Sequence, residues 1–373
     1  MVLTNSPIQV TNVVPQTTNV VPQTNNVVPQ TTNIVPKYKN NLTKIKIKKS
    51  KQTKKNKIEP IQLFNKLRIN LLIEYLNTKN THACMVLHNS ILVFQYGEIT
   101  KRKRVASVRK SILSILYGMY NIDLNKTLEE LNIDDIGVLS SNEKKATVKH
   151  LLTARSGVYH APSNGYGKTE PNKPQRGSHE AGKYWYYNNW DFNVAGTIFE
   201  QETKVNIYDA LYILGSKLKF DDYNLEDVEK HKQQRIQNTN TISKHQPYHL
   251  YLSARDMSKI GLLMLNKGKY GKEQIISKQW IKKITSLVTP YEEVMDTFTD
   301  GLNGYGYMWW VYDTKNKNDP FYGSYSAQGV DEESITIIPK LNIIIVTKGG
   351  ENADYNLIND KFFTKLVVSA YQK

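Results

Sequence analysis

The sequence predicts an α+β protein in which an antiparallel sheet is flanked by helices and a mostly helical lobe is inserted between its strands. Apolar or alternating runs typical of strands occur near both ends of the chain, at 83–87, 91–96 and within 306–348. Between them, residues from about 106 to 290 have helical apolar spacing interrupted by polar loops. This arrangement favours two lobes with the active site in the cleft between them.

The remaining elements follow in chain order. Residues 61–76 have helical apolar spacing, which predicts an N-terminal helix packed on the sheet. The polar segment 88–90 joins the first two strands and predicts a β-hairpin. The C-terminal part predicts strands at 306–313, 334–339 and 342–348, and a closing helix at 362–371.

The first 58 residues differ in composition from the rest. Residues 1–36 contain no charged side chain and have prolines at 15, 22, 29 and 36, and a proline in every seventh position excludes a helix. Residues 37–58 contain ten lysines and no acid, a pattern typical of a solvated tail or of contact with a polyanion. We therefore predict a disordered tail over 1–58 and one folded domain over 59–373, with its helical lobe at about 106–290.

Charge and cysteine content limit the class of protein. The net charge is +16, but without the ten tail lysines the 50 basic residues become 40 against 34 acidic ones, a net charge of +6. The single cysteine, Cys84, excludes an intramolecular disulfide framework. No apolar run reaches the length of a membrane span, and the N-terminus lacks the basic and apolar regions of a signal peptide. These features favour an intracellular, cytoplasmic location.

The segment 105–110 is the strongest chemical signal in the chain. It places Ser107 three residues before Lys110 at the start of an apolar run, so that the two side chains share one face of a helix. Burial and the positive end of the helix dipole both favour a neutral lysine amine. A neutral amine beside a serine hydroxyl is a general base beside a nucleophile.

The same Ser-x-x-Lys spacing also occurs at Ser141/Lys144 and at Ser216/Lys219. The first of these lies in a polar stretch typical of a solvated turn, and the second has the pattern of a helix end. Only Ser107 leads into a long apolar helix. The alternative interpretation of Ser107 is a helix start followed by a surface lysine.

Other segments support the catalytic interpretation. Tyr187-Asn188-Asn189 is a Tyr-x-Asn element, and with Ser107 and Lys110 it resembles the motifs of the serine β-lactamase/penicillin-binding-protein superfamily. The resemblance runs from about residue 80 to the C-terminus and is strongest to the class C-like branch of esterases, D-amino-acid peptidases and 6-aminohexanoate-dimer hydrolases. Further segments that carry it are 147–158, 194–200, 252–257, 261–265 and 304–310.

The resemblance implies a role for each motif residue. Ser107 corresponds to the acylated nucleophile and Lys110 to its base partner. Tyr187 corresponds to the tyrosine that passes the proton to the leaving group and later activates water, although packing within the aromatic cluster 184–190 is the alternative. Asn189 corresponds to the residue that orients the substrate and the lysine.

The third motif departs from the family pattern. The usual Lys-Thr-Gly, expected before the strand at 334–339, is replaced by Ala327-Gln328-Gly329. An oxyanion hole needs only backbone N–H groups, and the resemblance implies the amides of Ser107 and about Val330. Gln328, Gly329 and Val330 are therefore predicted to border the substrate. Because no cation is present to bind a carboxylate, a small neutral ester or amide fits better than a β-lactam.

We therefore predict a serine hydrolase that acts on a small ester or amide through an acyl-enzyme intermediate. The alternatives are a β-lactamase or D-Ala-D-Ala-type peptidase, and a non-catalytic binding or structural protein of the same fold that uses its basic tail. No His-Glu-x-x-His or paired His/Cys spacing is present, so neither a metal nor a cofactor is expected. His245 and Tyr248 precede the segment 252–257, where relatives place residues that contact substrate.

Overall fold

A computed structural model describes residues 66–164, 173–237, 242–294, 303–350 and Val367. The helices are α1 (Lys66–Thr78), α2 (Val108–Met119), α3 (Val148–Leu152), α4 (Asn189–Thr203), α5 (Ile207–Leu218), α6 (Leu225–Gln237), α7 (Ala254–Leu265), α8 (Lys278–Ile284) and α9 (Tyr291–Val294). The strands are β1 (Thr81–His88), β2 (Ile91–Gly97), β3 (Lys103–Arg104), β4 (Tyr251–Leu252), β5 (Lys269–Tyr270), β6 (Glu273–Gln274), β7 (Asn303–Tyr305), β8 (Trp310–Tyr312), β9 (Tyr325–Gly329), β10 (Glu333–Ile338) and β11 (Ile343–Gly349).

Seven of these strands form one antiparallel sheet in the order β2-β1-β11-β10-β9-β8-β7. The N-terminal hairpin β1–β2 joins the C-terminal strands through β11, where Met85 lies opposite Val346. Most helices of the described ranges are contributed by the segment between β2 and β7. The predicted α+β fold, with strands from both chain ends around a helical insertion, is confirmed.

Both faces of the central strands are covered, because successive side chains point to opposite faces of a sheet. On one face, Cys84 and Ile345 pack in a core with Leu72 of α1. On the other face, Met85 and Val346 join the large core that includes α2 and α7. Strands covered on both faces are continuously apolar, which is why the runs at 83–87 and 342–348 were recognisable in the sequence.

The structure corrects the predicted strands in the C-terminal part. The single strand predicted over 306–313 is instead the connection and second strand of a hairpin: β7 ends before this range, the connection contains Met308 with a φ of 63°, and only β8 lies within the range. The Ala327-Gln328-Gly329 segment is not a lead-in to the following strand but the end of its own strand, β9. The short strands were missed because three to five residues are too few to show an alternating pattern.

Several predictions fall on residues outside the described ranges. They concern the tail at 1–58, the start of the helix predicted over 61–76, and the closing helix at 362–371 apart from Val367. The domain boundary, the polyanion contact and the intracellular location stay predictions. Among helices of the described ranges, none combines the length and apolar character that crossing a membrane requires.

A buried ion pair joins β10 and β11 near the end of the sheet that faces α2. Lys348 Nζ donates to a carboxylate oxygen of Glu333 at 2.6 Å, and both side chains are shielded from solvent. Burial raises the pKa of Glu333 to about 7 and lowers the pKa of Lys348, while the attraction between the two charges opposes both shifts. Because Glu333 lies opposite Gly329 in the register of β9 and β10, this pair supports the strand that contacts Ser107.

We predict that Lys348→Met lowers the free energy of unfolding by about 3–5 kcal/mol, because it leaves the buried Glu333 carboxylate without its partner. The double variant Glu333→Leu/Lys348→Met should recover most of that loss, since it removes both charges. Lys101→Met is the control, because it breaks the exposed Glu98–Lys101 pair, and it should cost less than about 1 kcal/mol. Urea denaturation measures all three, and equal effects of the two single substitutions would contradict the prediction.

Candidate active site

Ser107 lies at a sharp turn that leads into α2. The preceding residue, Ala106, has a φ of 44°, the left-handed region that a residue with a Cβ adopts at a cost. Before it, the amide of Val105 donates to the carbonyl of Leu250 at 2.9 Å, which fixes the approach to the turn. Ser107 is therefore half-buried while the residues on both sides of it are buried.

Lys110 lies one helical turn after Ser107 and is 2 % exposed. Its Nζ atom lies 2.9 Å from Ser107 Oγ and 2.6 Å from the Tyr187 hydroxyl. Tyr187 also has a hydrogen bond to Ser107. The structure thus brings the three predicted catalytic residues into one hydrogen-bonded group, although 77 positions separate Lys110 from Tyr187.

The ring of Tyr187 is held among other aromatic rings. It stacks on Trp310 with centroids 5.8 Å apart, and it contacts Phe192 at 4.9 Å and Tyr305 at 6.1 Å. Burial raises the pKa of Tyr187 to about 12, and the hydrogen bond to Ser107 and the charge of Arg109 act in the opposite direction. The tyrosine is therefore protonated at neutral pH and positioned to share its proton.

A capped helix start positions the turn that carries Tyr187. Asn188 accepts a hydrogen bond from the Trp190 amide and donates to the Val158 carbonyl at 2.6 Å. Asp191 accepts from Asn188 at 3.0 Å and from Ser156 at 2.7 Å. The hydrogen bonds of Val158 and Ser156 give the segment 147–158, one of those that carry the family resemblance, a structural role. This segment holds the start of α4.

The predicted polar residue Asn189 is the first residue of α4 and is half-buried. It lies two positions after Tyr187, in the first turn of α4.

The end of β9 lies against Ser107. A Cβ on Gly329 would come within 2.7 Å of the Ser107 amide nitrogen and 2.9 Å of the Ala106 Cβ, so only glycine fits there. Val330 follows in the turn to β10 and is 42 % exposed. Within the described ranges, neither the Ser107 amide nor the Val330 amide donates to a backbone carbonyl.

The third motif brings no cation to this strand end. Ala327 is buried opposite Ile335, and Gln328 is half-buried opposite Ser334. The side chains of the motif therefore leave the catalytic group without an additional positive charge from β9.

Two serines inside α2 were missed in the sequence. Ser111 donates to the Met308 carbonyl at 2.5 Å, and Ser114 accepts from the Trp309 indole nitrogen at 3.0 Å. These bonds join α2 to the β7–β8 hairpin, whose Trp310 stacks on Tyr187. The available signal was two serines three positions apart within an apolar helix, where polar groups require buried partners.

The other two Ser-x-x-Lys matches are not sites of this kind. Lys144 pairs with Asp134 at 2.8 Å, and Ser141 is exposed. Ser216 donates to the Tyr212 carbonyl at 2.9 Å, and Lys219 ends α5 in a left-handed conformation. The preference for Ser107 over these matches rested on the apolar helix that follows it, and that helix is present.

The polar residues considered before α7 are packed inside the protein. His245 lies 3.0 Å from the Thr197 hydroxyl, and Tyr248 lies under the guanidinium of Arg109 at 4.3 Å. No cluster of three or more His, Cys, Asp or Glu side chains suited to a metal ion occurs within the described ranges.

Solved structures share this architecture at low sequence identity. An octameric penicillin-binding protein homologue from Pyrococcus abyssi matches with a TM-score of 0.59 and 18 % identity, over 81 % of this chain and 77 % of its own. Simvastatin synthase from Aspergillus terreus matches with a TM-score of 0.58 and 12 % identity, over 82 % and 96 %. A protein from Bacillus anthracis proposed to be a 6-aminohexanoate-dimer hydrolase matches with a TM-score of 0.53 and 18 % identity, over 80 % and 79 %.

Two sequence comparisons agree with the fold. An uncharacterized protein from Alkalihalophilus pseudofirmus is 23 % identical over 261 residues, which is 65 % of this chain and 71 % of the relative. The sequence model of the Beta-lactamase family matches residues 101–348, a range that contains Ser107, Lys110, Tyr187 and Gly329. The chain therefore belongs to the Beta-lactamase family, whose fold is that of the serine β-lactamases and penicillin-binding proteins.

Proposed function

We propose that the protein is a serine hydrolase that cleaves a small neutral ester or amide through an acyl-enzyme intermediate. The observation that carries this proposal is the position of Lys110 Nζ, within hydrogen-bond distance of both Ser107 Oγ and the Tyr187 hydroxyl. Members of the Beta-lactamase family are typically hydrolases, and the proposal specifies the mechanism and the substrate class for this chain.

In the acylation step, Ser107 Oγ forms a bond to the carbonyl carbon of the substrate. Its proton passes to the neutral amine of Lys110, which is hydrogen-bonded to the protonated Tyr187 hydroxyl, so the new charge does not stand isolated in the buried site. The amides of Ser107 and Val330 donate to the negative oxygen of the tetrahedral intermediate. When the intermediate collapses, the bond to the leaving group breaks and Tyr187 returns a proton to that group.

In the deacylation step, the same groups act on water. Tyr187 and Lys110 take a proton from a water molecule, which attacks the acyl carbon. Collapse of the second tetrahedral intermediate breaks the bond to Ser107 Oγ, and the proton returns to that oxygen. The product is a carboxylic acid, and the protein returns to its starting protonation state.

The surroundings of the catalytic group favour a neutral substrate. The strand end next to Ser107 has Ala327 and Gln328 where the family pattern places a cation, so a carboxylate on the substrate has no charged partner there. Asn189 and Gln328 are proposed to bind the substrate through their amides. Hydrogen bonds from neutral amides select for uncharged acyl or leaving groups.

We predict that a fluorophosphonate probe labels Ser107 and no other serine. Ser107→Ala should abolish labelling and leave the thermal midpoint nearly unchanged, because the buried Lys110 amine keeps its hydrogen bond to the Tyr187 hydroxyl. Ser141→Ala and Ser216→Ala are matched controls with the same Ser-x-x-Lys spacing and should label normally. Peptide mapping identifies the site, and label at Ser141 or Ser216 would contradict the assignment. A folded protein with no label would favour a non-catalytic member of the fold.

A second prediction concerns Tyr187. Tyr187→Phe keeps the ring in its aromatic surroundings and removes only the hydroxyl that Lys110 contacts. A general acid–base group contributes about 10²- to 10⁴-fold, so kcat on a p-nitrophenyl ester should fall by about that factor. Tyr186→Phe is the control and should retain activity. A fall of less than about fivefold, well below that range, would assign Tyr187 to packing.

A third prediction separates an esterase or amidase from a β-lactamase. Short-chain p-nitrophenyl esters or small amides should be hydrolysed with a higher kcat/KM than nitrocefin, because the third motif has no lysine for the β-lactam carboxylate. Both rates are measured on the same preparation, with Ser107→Ala as the blank. Nitrocefin hydrolysis at about 10⁴ M⁻¹s⁻¹ or above, within the usual enzyme range, would favour the β-lactamase alternative.

A further inference from the structure

Arg109 is a buried cation between the two catalytic residues of α2. It lies two positions after Ser107 and directly before Lys110, and it is 3 % exposed. Its guanidinium carbon lies 4.3 Å from the ring centre of Tyr248. Its Nη2 atom donates to Asn193 Oδ1 at 3.2 Å.

Among the described residues, no carboxylate forms an ion pair with Arg109, whose side-chain acceptor is the neutral amide of Asn193. Its Nη1 atom has no hydrogen-bond partner there. Burial of a charge without a partner is costly, and buried arginines are usually paired for that reason. A buried cation that keeps no carboxylate partner is available to stabilise negative charge nearby.

The elements packed around Arg109 contribute tyrosines and other cations. Burial lowers the pKa of Arg109, Arg104 acts in the same direction, and Tyr248, Tyr187 and Tyr208 oppose both. The Arg109 charge also lowers the pKa of His249, although burial is the larger cause. In the described part of the chain, the titratable or charged groups that interact with Tyr187 include Lys110, Arg109, Tyr248 and Tyr305.

Arg109 and Lys110 contact neighbouring residues of α4. Lys110 Nζ lies 4.6 Å from the ring centre of Phe192, and Arg109 donates to Asn193. The side chains of these two consecutive residues of α2 therefore lie against the first turns of the helix that follows Tyr187. Lys110 contacts the tyrosine directly, and the Arg109 charge acts on the same tyrosine from the neighbouring position of α2.

We propose that Arg109 is a positioning residue whose charge stabilises the phenolate that develops on Tyr187 when this tyrosine gives up its proton. This inference rests on the proposed function, because it acts through Tyr187. The physical reason is that a cation in a buried site, where water does not screen it, favours the negative form of a neighbouring acid. The third motif brings no cation to the site. The positive charge near Tyr187 therefore comes from Arg109 of α2.

The experiment measures the rate of Ser107 acylation by a fluorophosphonate probe as a function of pH. In the unmodified protein the rate rises with pH to a plateau, with a midpoint that belongs to the coupled Lys110–Tyr187 pair. Arg109→Gln should move that midpoint upward by about 1 pH unit, the lower end of the shift that a nearby charge produces. Arg109→Lys keeps a positive charge at this position, so its midpoint should stay close to that of the unmodified protein.

A double-mutant cycle with Tyr187→Phe shows whether the effect passes through the tyrosine. In the Tyr187→Phe background, Arg109→Gln should change the acylation rate by less than about twofold at any pH, because the group it acts on is absent. An equal effect of Arg109→Gln in both backgrounds would overturn the inference.

Two substitutions of Asn193 distinguish the effect of the Arg109 charge from the effect of the hydrogen bond that links α2 to α4. They also test the inference if Arg109→Gln does not fold. Asn193→Ala removes the hydrogen bond and keeps the Arg109 charge, so the midpoint should stay in place. Asn193→Asp keeps the shape and places a carboxylate against the guanidinium, so the midpoint should rise. If Arg109 only ties the helices together, Ala is the damaging change and Asp is harmless.

The outcomes for the two proposals differ. Ser107-dependent acylation with the same midpoint in Arg109→Gln and in Asn193→Asp overturns the role of Arg109 and leaves the proposed function intact. Absence of Ser107-dependent acylation in the unmodified protein overturns the proposed function, and the inference with it.

Discussion

The hydrogen bonds of Lys110 are the interaction on which the arrangement of the candidate site depends. One amine, buried in the first turn of α2, lies within 3 Å of both a serine hydroxyl and a tyrosine hydroxyl. Such a buried group is stable only when its polar partners are in place, because water is not available to replace them. The position of Tyr187 relative to α2 is therefore constrained as strictly as the position of Ser107.

The surrounding fold meets that constraint with polar anchors and rigid aromatic packing. The β7–β8 hairpin is joined to α2 by the bonds of Ser111 and Ser114, and the same hairpin carries Trp310 against the Tyr187 ring. On the other side, Asn188 and Asp191 fix the start of α4 to the segment around Val158. Segments without a chemical motif of their own therefore hold Ser107, Lys110 and Tyr187 in position.

The distribution of buried charge distinguishes this site from the pattern that its motifs resemble. The strand next to the nucleophile ends in Gly329, whose lack of a side chain allows the close approach to Ser107, and it has no lysine before that glycine. Instead, Arg109 is buried one position before Lys110 without a carboxylate partner in the described part of the chain. The sheet itself contains a neutralised pair, Glu333–Lys348, directly opposite Gly329. The buried positive charge near Tyr187 therefore comes from α2, whereas the buried positive charge of the sheet, on Lys348, is neutralised by Glu333.

The sequence by itself determined the α+β class, the long apolar strands and the pairing of Ser107 with Lys110. All of these depend on local periodicity, because strand alternation and the one-turn spacing of a helix are properties of neighbouring residues. The motifs that contain Tyr187 and Gly329 indicated their order along the chain but not their distances from Lys110 and Ser107. Only the tertiary structure decided that Tyr187 reaches Lys110, that Gly329 leaves no room for a side chain beside the Ser107 amide, and that Arg109 is buried without a carboxylate partner among the described residues. These contacts join elements far apart in sequence, and their geometry follows from how the sheet, the hairpin and the helices pack, which no local pattern encodes.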